Sequence, residues 1–134
     1  MAKYLLGLVL VFSSLTTFAF RNPQMRACFT AGGQFFVVNG DYDQYGICKF
    51  GQSLVGAIDI LNRDSAIDVP LSLFNYKRGV KVCPTQNLTT LTTFEGDPLY
   101  VCQYSDLSII DVETLTSGKD SERNLELNKA LKLK

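Results

Sequence analysis

Apolar and polar positions divide the chain into an N-terminal leader and two similar stretches. Behind Lys3 runs the apolar segment Tyr4 to Phe12, followed by Ser13-Ser14-Leu15-Thr16-Thr17. That run is too short to cross a bilayer as a helix, and the small residues Thr17 and Ala19 stand where a signal peptidase reads them. A signal peptide cleaved after Ala19, leaving Phe20 first, is therefore expected. Asn22-Pro23 then offers a cap and a first-turn proline for a short helix through Cys28, stopped by Gly32-Gly33. Gln34 to Val38 is aromatic and β-branched and predicts a strand, with Asn39 to Asp43 as its turn and Tyr45 to Phe50 as the return strand. Ser53 caps a predicted helix that carries Leu54, Ile58 and Leu61 on one face and ends near Asn62-Arg63. The connection that follows contains Val69-Pro70-Leu71-Ser72-Leu73-Phe74, which is too apolar to float free and is expected to pack over a sheet. Beyond it, Leu88 to Phe94 and Leu99 to Tyr104 predict two strands around the turn Glu95-Gly96-Asp97-Pro98. Asp106 to Leu115 predicts a helix, although Ile109-Ile110 reads equally well as strand. From Ser117 onward the composition turns polar and charged, with Leu125, Leu127, Leu131 and Leu133 spaced through it.

The two strand pairs lie in matching frames, Cys28 to Cys48 and Cys83 to Cys102. At a constant offset of 54, Phe50 meets Tyr104, and Ile58 and Leu61 meet Val112 and Leu115. A degenerate tandem duplication accounts for that order. Pro84, directly after Cys83, argues against a complete first helix in the second copy. The fold class expected is α+β: two αββα-like repeats around an antiparallel sheet, braced by disulfides. Its segments are the signal peptide (1–19), a first repeat (20–63), a connection (64–79), a degenerate second repeat (80–116) and a polar C-terminal tail or frayed helix (117–134).

Charge and cysteine content narrow the chemistry. The 134 residues hold 13 basic and 13 acidic side chains and no histidine. Near-neutrality gives no electrostatic reason to bind nucleic acid. Without imidazole there is no Ser-His-Asp triad, no Cys-His pair and no His-ligated metal. All four cysteines follow the leader, so export into an oxidising compartment makes two disulfides the default. Of three connectivities, the expected one pairs Cys28 with Cys48 and Cys83 with Cys102; pairings that cross between frames respect the same pseudo-twofold. A four-thiolate zinc site is disfavoured because the close Cys-x-x-Cys pairs of such sites are absent. Arg26 ahead of Ala27-Cys28 disfavours lipid attachment.

Three blocks carry a family resemblance: Asn22-Pro23 ahead of Cys28, Cys28 ahead of Gly32-Gly33, and Gln44-Tyr45-Gly46-Ile47-Cys48-Lys49-Phe50. In order and spacing they resemble small exported bacterial domains catalogued as a domain of unknown function and often labelled hemolysins. The resemblance covers roughly residues 22–50 and implies export, a compact αββα unit and disulfides. It departs at Gly51-Gln52-Ser53, where the family commonly continues with an Asp-Gly turn, further cysteines and a Trp-bearing helix. It transfers no catalytic residue.

Among candidate site residues, Asn39, Asp41 and Asp43 begin like a calcium loop, but Gln44 and Phe50 stand where that loop needs Gly and Glu. Asp59 with Asp64, or Asp41 with Asp43, are the carboxylate pairs available for acid-base hydrolysis. Asn87-Leu88-Thr89 is a glycosylation triplet that matters only in a eukaryotic secretory route. The aromatics Phe36, Tyr42 and Tyr45 form the expected recognition surface, with Tyr42 at a hairpin tip. The function expected is that of an exported, periplasmic or secreted, disulfide-stabilised binding module, one form of which is an inhibitor. It is expected to be no enzyme, with no cofactor or metal and no transmembrane segment after signal removal, and its partner is a protein or an envelope component. The alternatives are an envelope-polymer hydrolase using carboxylates and a weak membrane-active, hemolysin-like protein acting through the C-terminal leucines.

Overall fold

A computed structural model describes residues 22–133. The expected leader and its cleavage point at Ala19-Phe20 lie outside the described residues. Among those residues the protein is α+β, and its strands are all antiparallel.

Helix α1, Pro23–Thr30, begins as its sequence demands: Asn22 Oδ1 accepts from the N–H groups of Gln24 (3.0 Å) and Met25 (3.3 Å), and Pro23 fills the first turn. Its end explains the Gly-Gly pair. Gly32 adopts φ +93°, and Gly33 N–H returns to Cys28 O at 2.9 Å. A Cβ on Gly33 would lie 2.5 Å from Cys48 Sγ, so the second glycine leaves room for the disulfide.

Strands β1 (Gln34–Asn39), β2 (Gln44–Phe50) and β3 (Ser53–Gly56) form one run, followed by α2 (Ala57–Leu61) and α3 (Leu71–Lys77). Strands β4 (Leu88–Thr92), β5 (Pro98–Gln103) and β6 (Ile109–Asp111) form the other, followed by α4 (Val112–Ser117) and α5 (Leu125–Ala130). The six close into a barrel in the order β1-β2-β3-β6-β5-β4, rather than the open sheet expected. Two strand pairings join the runs: Val55 opposite Ile110, and Asn39 opposite Thr92. The interior is filled by Val38, Ile47, Leu91, Val101 and Ile109, with Phe36, Tyr45, Leu54 and Leu99 packed against them. Alternate strand residues, among them Phe50, Val55 and Ile110, point outward into a second core shared with the helices.

The disulfides join Cys28 to Cys48 and Cys83 to Cys102, with Cα atoms 5.6 and 5.8 Å apart. They close loops of 20 and 19 residues, worth about 3 kcal/mol each on the chain-entropy account. No thiol remains free among the described residues.

Several elements differ from expectation. The helix predicted from Ser53 is strand first and helix only from Ala57, because Ser53 and Val55 bury on one face of an extended segment. Ile58 and Leu61 are half exposed, while Ala57 and Ile60 are buried. Ser53 caps nothing; its hydroxyl donates to Asn124 Oδ1 at 2.6 Å. Ile109-Ile110 is strand, and α4 starts after it, capped by Asp111. Segment 64–79 contains α3, whose Ser72, Leu73 and Tyr76 are buried. Segment 117–134, expected to be a polar tail or frayed helix, contributes α5, and Leu127, Ala130 and Leu131 enter the outer core. After Pro84 the chain makes only a 3-10 turn, Thr85–Asn87, where the first run has α1. No described helix is long and apolar enough to cross a membrane.

Candidate functional site

A barrel this narrow has its interior filled by side chains, so a ligand meets it at its ends or on its outer face. Because β1 and β4 meet only at their last residues, the chain beyond Asn39 runs on beside the earlier part of β4. The β1–β2 turn therefore caps one mouth. It leans over Thr89, Thr90 and Leu91, with Gln103 beneath, and encloses a cavity of about 190 Å³. Gly40 N–H donates to Asp43 O at 2.7 Å and closes the turn. A side chain at Gly40 could not fit, since its Cβ would stand 2.8 Å from the Tyr45 ring. Tyr42, between Asp41 and Asp43, is 97 % exposed. Tyr45 lies half-buried below it, with its ring against the barrel interior.

Of the three aromatics expected to form a recognition surface, Tyr42 and Tyr45 share this mouth. Phe36 does not join them. It lies at the far end of the hairpin, in a cavity of about 460 Å³ with Lys49 and Leu54. Gln103, Thr89 and Thr90 were not legible as site residues, because isolated polar positions in two separate strands carry no pattern until the strands pair.

The carboxylate pairs expected from sequence are also rearranged. Asp64 is exposed beside Arg63, 3.6 Å away, and Asp41 and Asp43 flank Tyr42 in solvent. Asp59, 2 % exposed, instead shares a cleft of about 430 Å³ with Asp106 and Ser108. Asp59 Oδ2 accepts from Ser72 Oγ and from Ile109 N–H, each at 2.9 Å. Burial pushes its pKa up to about 7 against those hydrogen bonds. Burial would also raise Asp106, but hydrogen bonds from Ser108 Oγ (2.5 Å), Leu71 N–H (2.9 Å) and Ser108 N–H (3.0 Å) outweigh it and hold Asp106 below the usual range. Two carboxyls displaced in opposite directions are the raw material of acid-base catalysis. Here, though, the bonded oxygens are committed to the protein itself. Asp59 ties α2 to β6 across the two runs, and Thr114 of α4 makes the reverse tie, accepting Leu54 N–H of β3 at 3.2 Å. Asp59 and Thr114 thus each accept a backbone N–H from the other run.

Compared with known proteins, the chain matches no family model, no curated protein and no solved structure.

Proposed function

We propose that this chain is an exported, disulfide-braced binding module, not an enzyme, that engages its partner through the β1–β2 tip. The observation that carries the reading is Tyr42: an aromatic 97 % exposed on a turn whose return strand is tied by Cys48 to Cys28. Large aromatics fixed on a braced loop lose little entropy on binding and are typical anchors of interfaces. The acidic neighbours Asp41 and Asp43 favour a partner surface that offers hydrogen-bond donors or positive charge.

The same proposal includes the duplication. Supporting it are the mirrored strand order, the disulfide that ends on the middle strand of each run, and the reciprocal ties of Asp59 to Ile109 and Thr114 to Leu54, which match Asp59 with Thr114 and Leu54 with Ile109, one residue beyond the offset expected from sequence that set Ile58 against Val112. Val55 opposite Ile110 marks where the axis would pass. On this reading α3 and α5 are counterparts, so each repeat extends beyond the αββα unit to a third strand and a second helix.

The test places a photoreactive benzoylphenylalanine at position 42 in the native host, with a control at Val82, which is 72 % exposed. A specific adduct from position 42 that is missing from the control supports the reading. Identical products from both positions, or none from 42, overturn it.

A further inference from the structure

We infer that the mouth capped by Tyr42 binds a neutral carbohydrate ring; this deepens the hairpin-tip reading and rests on it. Three observations converge. First, the cavity, about 190 Å³, is below the roughly 300–1,000 Å³ of drug-sized pockets. It has room for about one ring of a larger molecule.

Second, its chemistry is that of a polyol site. Asp41 and Asp43 supply acceptors, Thr89 and Thr90 supply hydroxyls, and the Tyr42 face is free for the apolar side of a sugar. No Lys or Arg lines the cavity, so nothing there neutralises an anionic ligand.

Third, the site holds an unpaid polar group. Gln103 lines the floor; its carboxamide nitrogen has no hydrogen-bond partner among the described residues and is closed off from solvent, so a ligand meets it once the side chain turns toward the cavity. A buried donor left unpaired is costly, and such groups are rare in folded proteins. What it lacks is an acceptor. An organic cation would satisfy the two carboxylates but offers no acceptor to Gln103, whereas a sugar hydroxyl gives and takes at once. The position also fits the fold: Gln103 follows Val101 on the inward face of β5, so it stands at the rim where the barrel interior opens.

The experiment titrates the oxidised full-length protein, followed by amide chemical shifts, with chitotetraose, cellotetraose and maltotetraose, and with n-butylammonium chloride, which has no acceptor, as the cationic probe. Each is taken to about 10 mM, above the millimolar Kd expected for one ring held by a few hydrogen bonds. At least one neutral oligosaccharide is expected to shift Tyr42, Thr90 and Gln103. Tyr42→Ala and Gln103→Met, the second removing the carboxamide at similar length and without adding charge, should each weaken binding about tenfold or more. Lys49→Ala, at the opposite mouth, should leave binding unchanged, and spectra of all three variants report whether they fold.

Binding of the cationic probe alone, or oligosaccharide binding that survives both Tyr42→Ala and Gln103→Met, overturns the inference. So does silence from all three sugars. If silence accompanies a specific protein adduct from position 42, the binding-module reading stands and the carbohydrate inference falls. If both experiments are silent, both fall.

Discussion

Asp59→Asn isolates the proton held at the crossing between the two runs. Unfolded, Asp59 titrates at 3.8; folded, burial moves it to about 7. A pKa raised on folding means that the native state binds the proton more tightly than the unfolded chain does. Its contribution is therefore fully present below pH 3.8 and is lost as pH rises through about 7. A difference of about 3 units at 1.36 kcal/mol each gives about 4 kcal/mol. That figure needs no discount for solvent screening, because Asp59 is 2 % exposed. Asparagine keeps an acceptor for Ser72 Oγ and Ile109 N–H but carries no titratable proton. Near pH 4, where wild-type Asp59 is neutral when folded, the two proteins should be of similar stability. At pH 8 the variant should be the more stable by up to about 4 kcal/mol. Urea unfolding of both proteins at intervals from pH 4 to pH 8, disulfides intact, measures the difference. Other carboxylates whose pKa moves on folding, such as Asp111 (raised by burial) and Asp106 (lowered), are common to both proteins and largely cancel. A difference that stays flat across the range would refute the claim that Asp59 is held neutral by burial. A variant less stable than wild type at every pH would show that the hydrogen bonds require a carboxyl group.

Further outcomes follow from the packing. Leu127→Ala should cost about 2–5 kcal/mol, as expected for a leucine with 0 % exposure, read as a shift in urea midpoint. For the same reason the full chain should release no dye from liposomes, its C-terminal leucines being spent in the core, and truncation at Ser117 should abolish cooperative unfolding rather than free a soluble barrel. Replacing Cys28 and Cys48 together by alanine should lower stability by about 3 kcal/mol, as calorimetry would register. Gly33→Ala, whose Cβ would stand 2.5 Å from Cys48 Sγ, should destabilise by about 1–3 kcal/mol; an unchanged melting temperature would mean that the α1–β1 junction yields.

What the sequence made legible was what local chemistry decides. Asn22-Pro23, Gly32-Gly33 and the two hairpins announce themselves because a cap, a positive φ and a β-branched run act over a few residues. The stretch from Ser53 to Leu61 misled for the opposite reason: Leu54, Ile58 and Leu61 do fall at helical spacing, but pairing with β2 and Ile110 fixes Ser53 to Gly56 as strand. The lysines between the leucines of the C-terminal segment make it look like a tail, although Leu127 and Leu131 lie on the face that the outer core needs. Barrel closure was invisible, since it hangs on Asn39 meeting Thr92 and Val55 meeting Ile110. The site followed the same division. Tyr42 could be read from its turn, whereas Gln103 joins it only once β4 and β5 are laid beside the hairpin.

The most direct measurement is photocrosslinking from position 42 in the native compartment, performed on the intact protein and on the Cys28→Ala/Cys48→Ala variant. The account predicts a specific adduct from the first and its marked loss from the second, because the disulfide braces the hairpin that presents the tip. No adduct from the intact protein would contradict the claim that the β1–β2 tip is the binding element.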